Sequence, residues 1–177
     1  MQFGLVRHFK VITNEKIFLN SNEFVEAMRK YDFANVSKNG LKINSNDWDV
    51  CYCSTLPRAI TTAEEIFFGK IIKTDLLREV PISPFTKRNF KLPVFIWQIG
   101  ARIAWYKSHK SQTEDVYQTK KRINEFYELI KNSGYEKILI VSHGYFLQMF
   151  SQEMFKNGFK GKIDLNIKNA QLYLLEK

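Results

Sequence analysis

The chain contains few cysteines, and this shortage excludes two classes of protein. Only Cys51 and Cys53 are present among 177 residues. Residues two apart on a strand point to the same face, so a disulfide between them would have poor geometry. No second cysteine pair or histidine-rich cluster completes a zinc site, and we predict no bound metal. Reduced thiols and the lack of a secretory signal predict a cytoplasmic protein.

The sequence also lacks a long hydrophobic run. Its most apolar stretch, PVFIWQIGARIAWY, extends from Pro93 to Tyr106 and is interrupted by Arg102. Crossing a bilayer takes about 20 apolar residues, so we predict no membrane span and no membrane partner. No linker, internal repeat or low-complexity segment is evident either. The chain is therefore predicted to form one domain over residues 1–177, long enough to bury a core.

Acidic residues are scarce relative to basic ones. The 27 Lys and Arg against 18 Asp and Glu give a formal net charge of +9. A surplus of this size attracts phosphorylated metabolites, nucleic acids or acidic lipids. Nucleic-acid-binding proteins usually concentrate their charge in a stripe or block, whereas here it is scattered from Arg7 to Lys177. We predict a small anionic ligand and no nucleic-acid partner, with a basic nucleic-acid-binding module as the non-enzymatic alternative.

The residues that are present alternate between strand-like and helix-like patterns. Strands are predicted over residues 3–6, 48–53, 71–74, 137–141 and 171–175, and helices over residues 21–31, 57–68, 113–131 and 145–155. The longest helix is expected to have Thr113 as its N-cap and to end near Gly134. This order predicts an α/β fold with three layers: an open, mostly parallel sheet covered by helices on both faces.

Residues with catalytic potential follow several of the predicted strands. Ligands of open α/β sheets bind beyond the carboxyl ends of the strands, so these residues are expected to converge at one edge. They comprise two arginines, two histidines and one carboxylate. The predicted site residues are Arg7, His8, Arg58, Glu79 and His143.

Four motifs carry a resemblance to a known family. In chain order they are LVRHFK, CSTLPRAITTAEEI, LLREV and IVSHG. They resemble the histidine phosphatase superfamily, which has the phosphoglycerate mutase-like fold and carries RHG near its start, SxLxRAxxTA in the middle, a glutamate after a short strand and a late SHG. Each motif alone is weak because short strings occur by chance, but four in order with compatible spacing are specific.

The resemblance implies covalent catalysis by His8. A ring nitrogen of His8 would attack phosphorus and form a phosphohistidine, which suits imidazole because it is largely neutral near pH 7. Arg7, Arg58 and His143 would surround the transferred group. Guanidinium groups stay charged and can each hold two oxygens. The resemblance therefore implies neither a metal nor another cofactor.

Three further positions complete this interpretation. Asn14 falls where the family carries an asparagine and would add a neutral donor to the phosphate. Glu79 would protonate the leaving oxygen and then deprotonate the attacking water, with Asp75 as its nearest rival. Ser54 lacks the GxSxG turn of a nucleophilic serine, so we interpret it as a capping or phosphate-side hydrogen-bonding residue.

The chain departs from the family pattern immediately after His8. Phe9 replaces the family glycine. If the backbone there required a positive φ, phenylalanine would cost on the order of 1 kcal/mol or more. Its ring could instead narrow the mouth of the pocket.

Residues 80–112 are predicted to determine substrate specificity. Most of their apolar side chains are expected to be buried as part of a helix. The sharper hypothesis has aromatic side chains lining a pocket and basic ones meeting a second anionic group of the substrate. The candidates are Phe95, Trp97 and Trp105 for the pocket and Lys87, Arg88 and Lys91 for the anion.

The favoured function is hydrolysis of a phosphomonoester of a small metabolite. Family mutases generally carry an insertion before the second histidine that helps exclude water, and this chain is compact there. The enzymatic alternatives are phosphoglycerate mutase-type phosphoryl transfer and removal of phosphate from protein phosphohistidine. An inactive phosphate sensor is a further non-enzymatic alternative. The sequence predicts no oligomeric state.

Overall fold

The structure is a computed structural model that describes residues 1–13, 17–38 and 40–177. Within these residues the strands are β1 (Gln2–Arg7), β2 (Lys10–Val11), β3 (Phe18–Leu19), β4 (Val36–Ser37), β5 (Val50–Ser54), β6 (Ile71–Thr74), β7 (Leu92–Pro93), β8 (Lys137–Ser142), β9 (Lys160–Gly161) and β10 (Leu172–Glu176). The α-helices are α1 (Ser21–Phe33), α2 (Pro57–Ile66), α3 (Val94–Tyr106), α4 (Val116–Lys131) and α5 (Gly144–Lys156).

A six-stranded sheet in the order β6-β5-β8-β1-β10-β9 forms the centre of the fold. The first four strands are parallel to one another, whereas β10 and β9 are antiparallel to their neighbours. The predicted open, mostly parallel sheet is confirmed. The parallel strands all bring their carboxyl ends to the same edge. Two small sheets, β2 with β4 and β3 with β7, were not predicted because their strands are too short to show a period.

Helices cover both faces of this sheet, as the alternating pattern predicted. Strand β8 contributes Ile138 and Ile140 to one face, where they pack with α4 and α5. It contributes Leu139 and Val141 to the opposite face, where α2 packs. Successive side chains of a strand point to opposite faces. A central parallel strand that is buried on both faces therefore has a continuous apolar sequence.

The two cysteines lie on β5 and are fully buried on the α2 side of the sheet. Both are free thiols, and burial raises the pKa of Cys53 to about 11. They therefore pack as small apolar side chains. None of the helices in the described part of the chain is long and apolar enough to span a membrane.

The N-terminus of α4 differs from the prediction. The helix begins at Val116, and its N-cap is Asp115 instead of Thr113. The Asp115 carboxylate accepts the Gln118 N–H at 2.9 Å, and the Gln118 side chain accepts the Asp115 N–H at 2.8 Å. This capping box satisfies two backbone donors at once, which a threonine two residues earlier cannot do.

Candidate active site

The carboxyl ends of β1 and β8 bring the two motif histidines together. In the parallel register Arg7 lies beside Ser142, so the residues that follow each strand are neighbours. His8 and His143 are these residues, and their ring centroids are 5.1 Å apart. The first and last motifs of the sequence therefore meet at one point of the sheet edge.

The hydrogen bonds of His8 define which ring nitrogen carries its proton. Nδ1 lies 2.7 Å from the Phe9 carbonyl oxygen, and because a carbonyl can only accept, Nδ1 is the protonated nitrogen. Nε2 keeps its lone pair and accepts from Arg58 Nε at 3.2 Å. Burial, followed by the charges of Arg58 and Arg7, lowers the pKa of His8 to about 3. His8 is therefore a neutral imidazole with its lone pair on Nε2.

Arg58 connects the two histidines. Its Nε also lies 3.2 Å from His143 Nδ1, so one N–H is shared by two ring nitrogens. The other end of the guanidinium leads away from them, because Nη1 donates to Asp32 Oδ1 at 2.9 Å and the group lies over the Tyr31 ring. Asp32 and Tyr31 belong to the last turn of α1 and were not predicted, since nothing near them in the chain resembles a motif.

His143 is held as a hydrogen-bond donor. Its Nδ1 lone pair faces Arg58, so Nε2 carries the proton and donates to Ser54 Oγ at 2.7 Å. Ser54 Oγ also accepts the Leu56 N–H at 3.2 Å. Burial and the Arg58 charge hold the pKa of His143 well below its usual value. Ser54 thus lies in the site as a hydrogen-bonding residue, in the manner interpreted from its sequence context.

Arg7 is the second arginine at this edge. Its Nη1 donates to the Ile167 carbonyl at 2.8 Å, and its Nε is buried without a hydrogen-bond partner among the described residues. A Cβ at Gly144 would lie 3.1 Å from that Nε, so a side chain at the first residue of α5 would crowd the Arg7 guanidinium. Asn169 donates to the His8 carbonyl at 2.7 Å. Its position just before the closing strand was the only sequence signal for this contact.

Glu79 is held at the N-terminus of α5, the helix that follows His143. Its Oε1 accepts the Phe146 N–H at 2.9 Å and its Oε2 accepts the Tyr145 N–H at 3.3 Å. Its Oε1 also accepts the Val80 N–H at 2.9 Å. The N–H groups in the first turn of a helix have no partner within the helix, so they are available to the side-chain oxygens of Glu79. Glu79 therefore has one defined orientation next to the buried pair.

Asp75, the rival of Glu79, lies nearby with a different environment. It accepts from the Thr55 hydroxyl and lies 3.7 Å from Arg78. Its side chain is 76% exposed. The contacts of Asp75 are thus to surface residues, whereas those of Glu79 are to the helix that follows His143.

A cleft of about 480 Å³ opens above this edge. Glu79 lines it, and so does Arg58, which joins the cleft to the buried histidines. The remaining walls come from α1, from the loop after β6, and from α3 and α4. These lining residues are Met28, Tyr31, Asp32, Leu56, Asp75, Arg78, Val80, Pro81, Ile82, Gln98, Arg102, Glu114 and Arg122.

Two sequence expectations next to His8 have different outcomes. In the described part of the chain, the non-glycine residues with a positive φ are Ser108 and Ala170. Phe9 therefore does not have a positive φ. Its ring is fully buried on the α2 side of the sheet and does not line the cleft, so it does not narrow the mouth. Asn14 lies outside the described residues.

The aromatic residues of segment 80–112 are not in the cleft. Trp97 and Trp105 are buried, and their indole N–H groups donate to the Leu19 carbonyl at 2.8 Å and to the Thr119 hydroxyl at 3.1 Å. Phe95 is 58% exposed outside the cleft. The hypothesis that these three residues line a specificity pocket is wrong. The two tryptophans of α3 point into the core, and Phe95 points to solvent away from the cleft.

The basic residues of the same segment also lie elsewhere. Lys87, Arg88 and Lys91 are exposed and do not line the cleft. The segment reaches the cleft through Gln98 and Arg102, and through the residues that follow Glu79. In the sequence, Arg102 is distinguished only as an interruption of an apolar run. The described residues contain no group of three or more His, Cys, Asp or Glu placed to hold a metal ion.

Comparisons with known proteins agree with this architecture. The phosphoglycerate mutase-like fold is shared with the putative alpha-ribazole-5'-P phosphatase of Escherichia coli (TM-score 0.55, 15% identity, 99% of this chain and 90% of that chain). It is also shared with phosphoserine phosphatase of Entamoeba histolytica in complex with 3-phosphoglyceric acid (TM-score 0.54, 17% identity, 98% of this chain and 89% of that chain). At such identities the similarity shows the fold alone.

The family of the chain is shown by its sequence. The profile of the histidine phosphatase superfamily (branch 1) matches residues 33–177, and the chain therefore belongs to that superfamily. A search among curated proteins found no match. The predicted family and fold are both confirmed.

Proposed function

We propose that the chain is a phosphatase that hydrolyses a phosphomonoester of a small metabolite through a phosphohistidine on His8. One observation carries this proposal: a neutral His8, with its lone pair on Nε2, lies beside Arg58 and His143 at the end of the parallel strands. A neutral imidazole is nucleophilic, and a buried donor set next to it suits an oxyanion.

In the first half-reaction His8 Nε2 attacks phosphorus in line with the ester oxygen. The P–N bond forms as the P–O bond breaks, and Glu79 gives its proton to the leaving oxygen. Arg58 exchanges its hydrogen bond with Nε2 for bonds to the peripheral phosphate oxygens, and His143 exchanges its Nε2–H bond to Ser54 for one to the same group. Arg7 donates to the same oxygens. Stabilising this spread charge is the main contribution that a protein makes to phosphoryl transfer.

In the second half-reaction a water molecule gives a proton to Glu79 and attacks phosphorus. The P–N bond breaks, phosphate leaves, and His8 returns to its neutral form. The partial exposure of Glu79 in the cleft supports water as the acceptor. Transfer to a second substrate, as in a mutase, would require the cleft to exclude water.

We expect the reaction to need no metal or other cofactor, because two guanidinium groups and the His143 N–H supply the donors. A small phosphorylated substrate is the expected partner, and the two free, buried thiols are consistent with a cytoplasmic location. None of the contacts described above requires a nucleic acid or a membrane.

The test is a panel of phosphorylated metabolites assayed for phosphate release with EDTA present. We expect wild-type activity to persist in EDTA and to fall at least a thousandfold in His8→Ala. The exposed His109, which contacts Ser111, supplies the matched control, and His109→Ala should keep full activity. Loss of activity in EDTA, or retention in His8→Ala, would contradict the proposal. Phosphate passed to a second metabolite instead of water would identify a mutase.

A further inference from the structure

Arg102 lines the cleft and has a guanidinium that is only partly hydrogen-bonded. Its guanidinium lies 3.9 Å from the centroid of the Tyr145 ring, and its Nη2 donates to the Val80 carbonyl at 3.2 Å. Its Nη1 is buried and has no hydrogen-bond partner among the described residues. The group is therefore held on two sides while one charged donor is left without an acceptor.

The other arginines of the cleft differ from Arg102. Arg122 donates through Nη1 to two backbone carbonyls and through Nη2 to Glu114 at 2.9 Å, although its Nε is also unpaired. Arg78 is half exposed and lies near Asp75. Arg58 is occupied by Asp32 and the histidines. Buried charged donors are costly without an acceptor, so the free Nη1 of Arg102 indicates a site that a ligand completes.

Arg102 also lies on a defined side of the active site. The Arg102 guanidinium lies over the Tyr145 ring, and the backbone N–H of Tyr145 donates to Glu79. Burial lowers the pKa of Arg102, and the charge of Glu79 opposes that shift, as expected for neighbours. Since Glu79 is the proposed acid that protonates the leaving oxygen, Arg102 faces the alcohol part of the substrate.

We propose that Arg102 binds a second anionic group carried by the alcohol part of the substrate. This inference rests on the proposed function and narrows it to phosphomonoesters with an additional carboxylate or phosphate. Nη1 offers two N–H donors, and a guanidinium matches the geometry of either oxyanion. Arg102 takes the role that the sequence had suggested for Lys87, Arg88 or Lys91.

The kinetic test compares O-phosphoserine with O-phosphoethanolamine, which differ only by a carboxylate. We expect wild-type kcat/KM to be about ten- to hundredfold higher for O-phosphoserine, the effect of one or two charge-assisted hydrogen bonds. Arg102→Met, which keeps an apolar chain against Tyr145, should bring this ratio close to one. Lys110→Met removes an exposed charge from the same segment and should keep the wild-type ratio. Equal ratios in wild type and Arg102→Met would overturn the inference.

A binding test separates this inference from the proposed function. Calorimetry would compare 3-phosphonopropionate and propane-1,3-bisphosphonate with propylphosphonate, none of which is hydrolysed. Tighter binding of either probe that carries a second anionic group, lost in Arg102→Met, supports the subsite. The stronger of the two shows whether the subsite prefers carboxylate or phosphate. Equal affinity for all three probes overturns it. If the protein prefers these probes but hydrolyses no phosphomonoester, the proposed phosphatase activity is rejected and the proposed anion subsite is retained. If Arg102→Met unfolds, Arg102→Lys should retain only part of the preference.

Discussion

The sheet edge and the cleft above it differ in how the chain builds them. At the edge, His8 and His143 follow directly from two adjacent parallel strands, so the register of β1 and β8 brings them together. In the cleft, Asp32 comes from α1 and Arg102 from α3, and only the packing of those helices brings them near Glu79. The proposed phosphoryl transfer thus depends on strand order, whereas the proposed anion subsite depends on helix packing.

Arg58 belongs to both regions. Its Nε contacts the histidines of the edge, and its Nη1 contacts Asp32 in the cleft wall. Changes on either side of this residue therefore test whether the two regions act separately.

After the loss expected in His8→Ala, the largest expected effect is at Glu79. Glu79→Gln removes the proposed acid and base and keeps one of the two oxygens that accept N–H groups of α5. General acid–base catalysis contributes about 10² to 10⁴ in rate, so we expect kcat for an alkyl phosphate to fall at least a hundredfold. The fall should be smaller for p-nitrophenyl phosphate, whose leaving group needs no proton. Asp75→Asn is the comparison, and a larger loss there than in Glu79→Gln would assign the acid to Asp75.

A second prediction concerns the pH dependence of stability. The folded protein holds the pKa of His8 at about 3, whereas the unfolded value is about 6.5. Between these values the unfolded chain binds the extra proton, so the free energy of unfolding should fall as pH falls below about 6.5. The slope from this group is about 1.4 kcal/mol per pH unit at most. Stability contributed by the neutral ring is fully present above pH 6.5.

Urea denaturation at pH 7, 6 and 5 measures this slope. His8→Gln should flatten it, and the exposed His109→Gln should leave it unchanged. His143, whose pKa is also lowered, supplies the part of the slope that persists in His8→Gln. An equal slope in wild type and His8→Gln would show that the buried ring does not resist protonation.

The smallest expected effect is at Asp32. This carboxylate is 41% exposed and pairs with the Arg58 guanidinium, so it would compete with the phosphate that Arg58 is proposed to bind. Asp32→Asn keeps an acceptor oxygen but removes the charge, so we expect KM to fall roughly two- to fivefold, in the range of a partly exposed ion pair. Glu26→Gln removes an exposed charge from the same helix and serves as the control. A rise in KM for Asp32→Asn alone would mean that the ion pair orients Arg58 for binding.

The sequence predicted the edge better than the cleft for a physical reason. The motif residues stand next to strands, and the apolar runs that identify those strands also determine where they end. Asp32, Asn169 and Arg102 contact the site across long chain separations, so their role is not encoded by near neighbours. The N-cap of α4 was misplaced for a similar reason, because Thr113 and Asp115 are both good caps and only the pairing with Gln118 distinguishes them.

The shared Nε–H of Arg58 has a consequence for which molecules can react. His8 is only 2% exposed, and its Nε2 lone pair is engaged by a cation that also holds the neighbouring imidazole. A reactant that reaches Nε2 must offer Arg58 an equally good acceptor in exchange. Oxyanions do so and uncharged electrophiles do not. We therefore expect the bond that shields the proposed nucleophile also to make it selective for phosphate esters over neutral alkylating or acylating compounds.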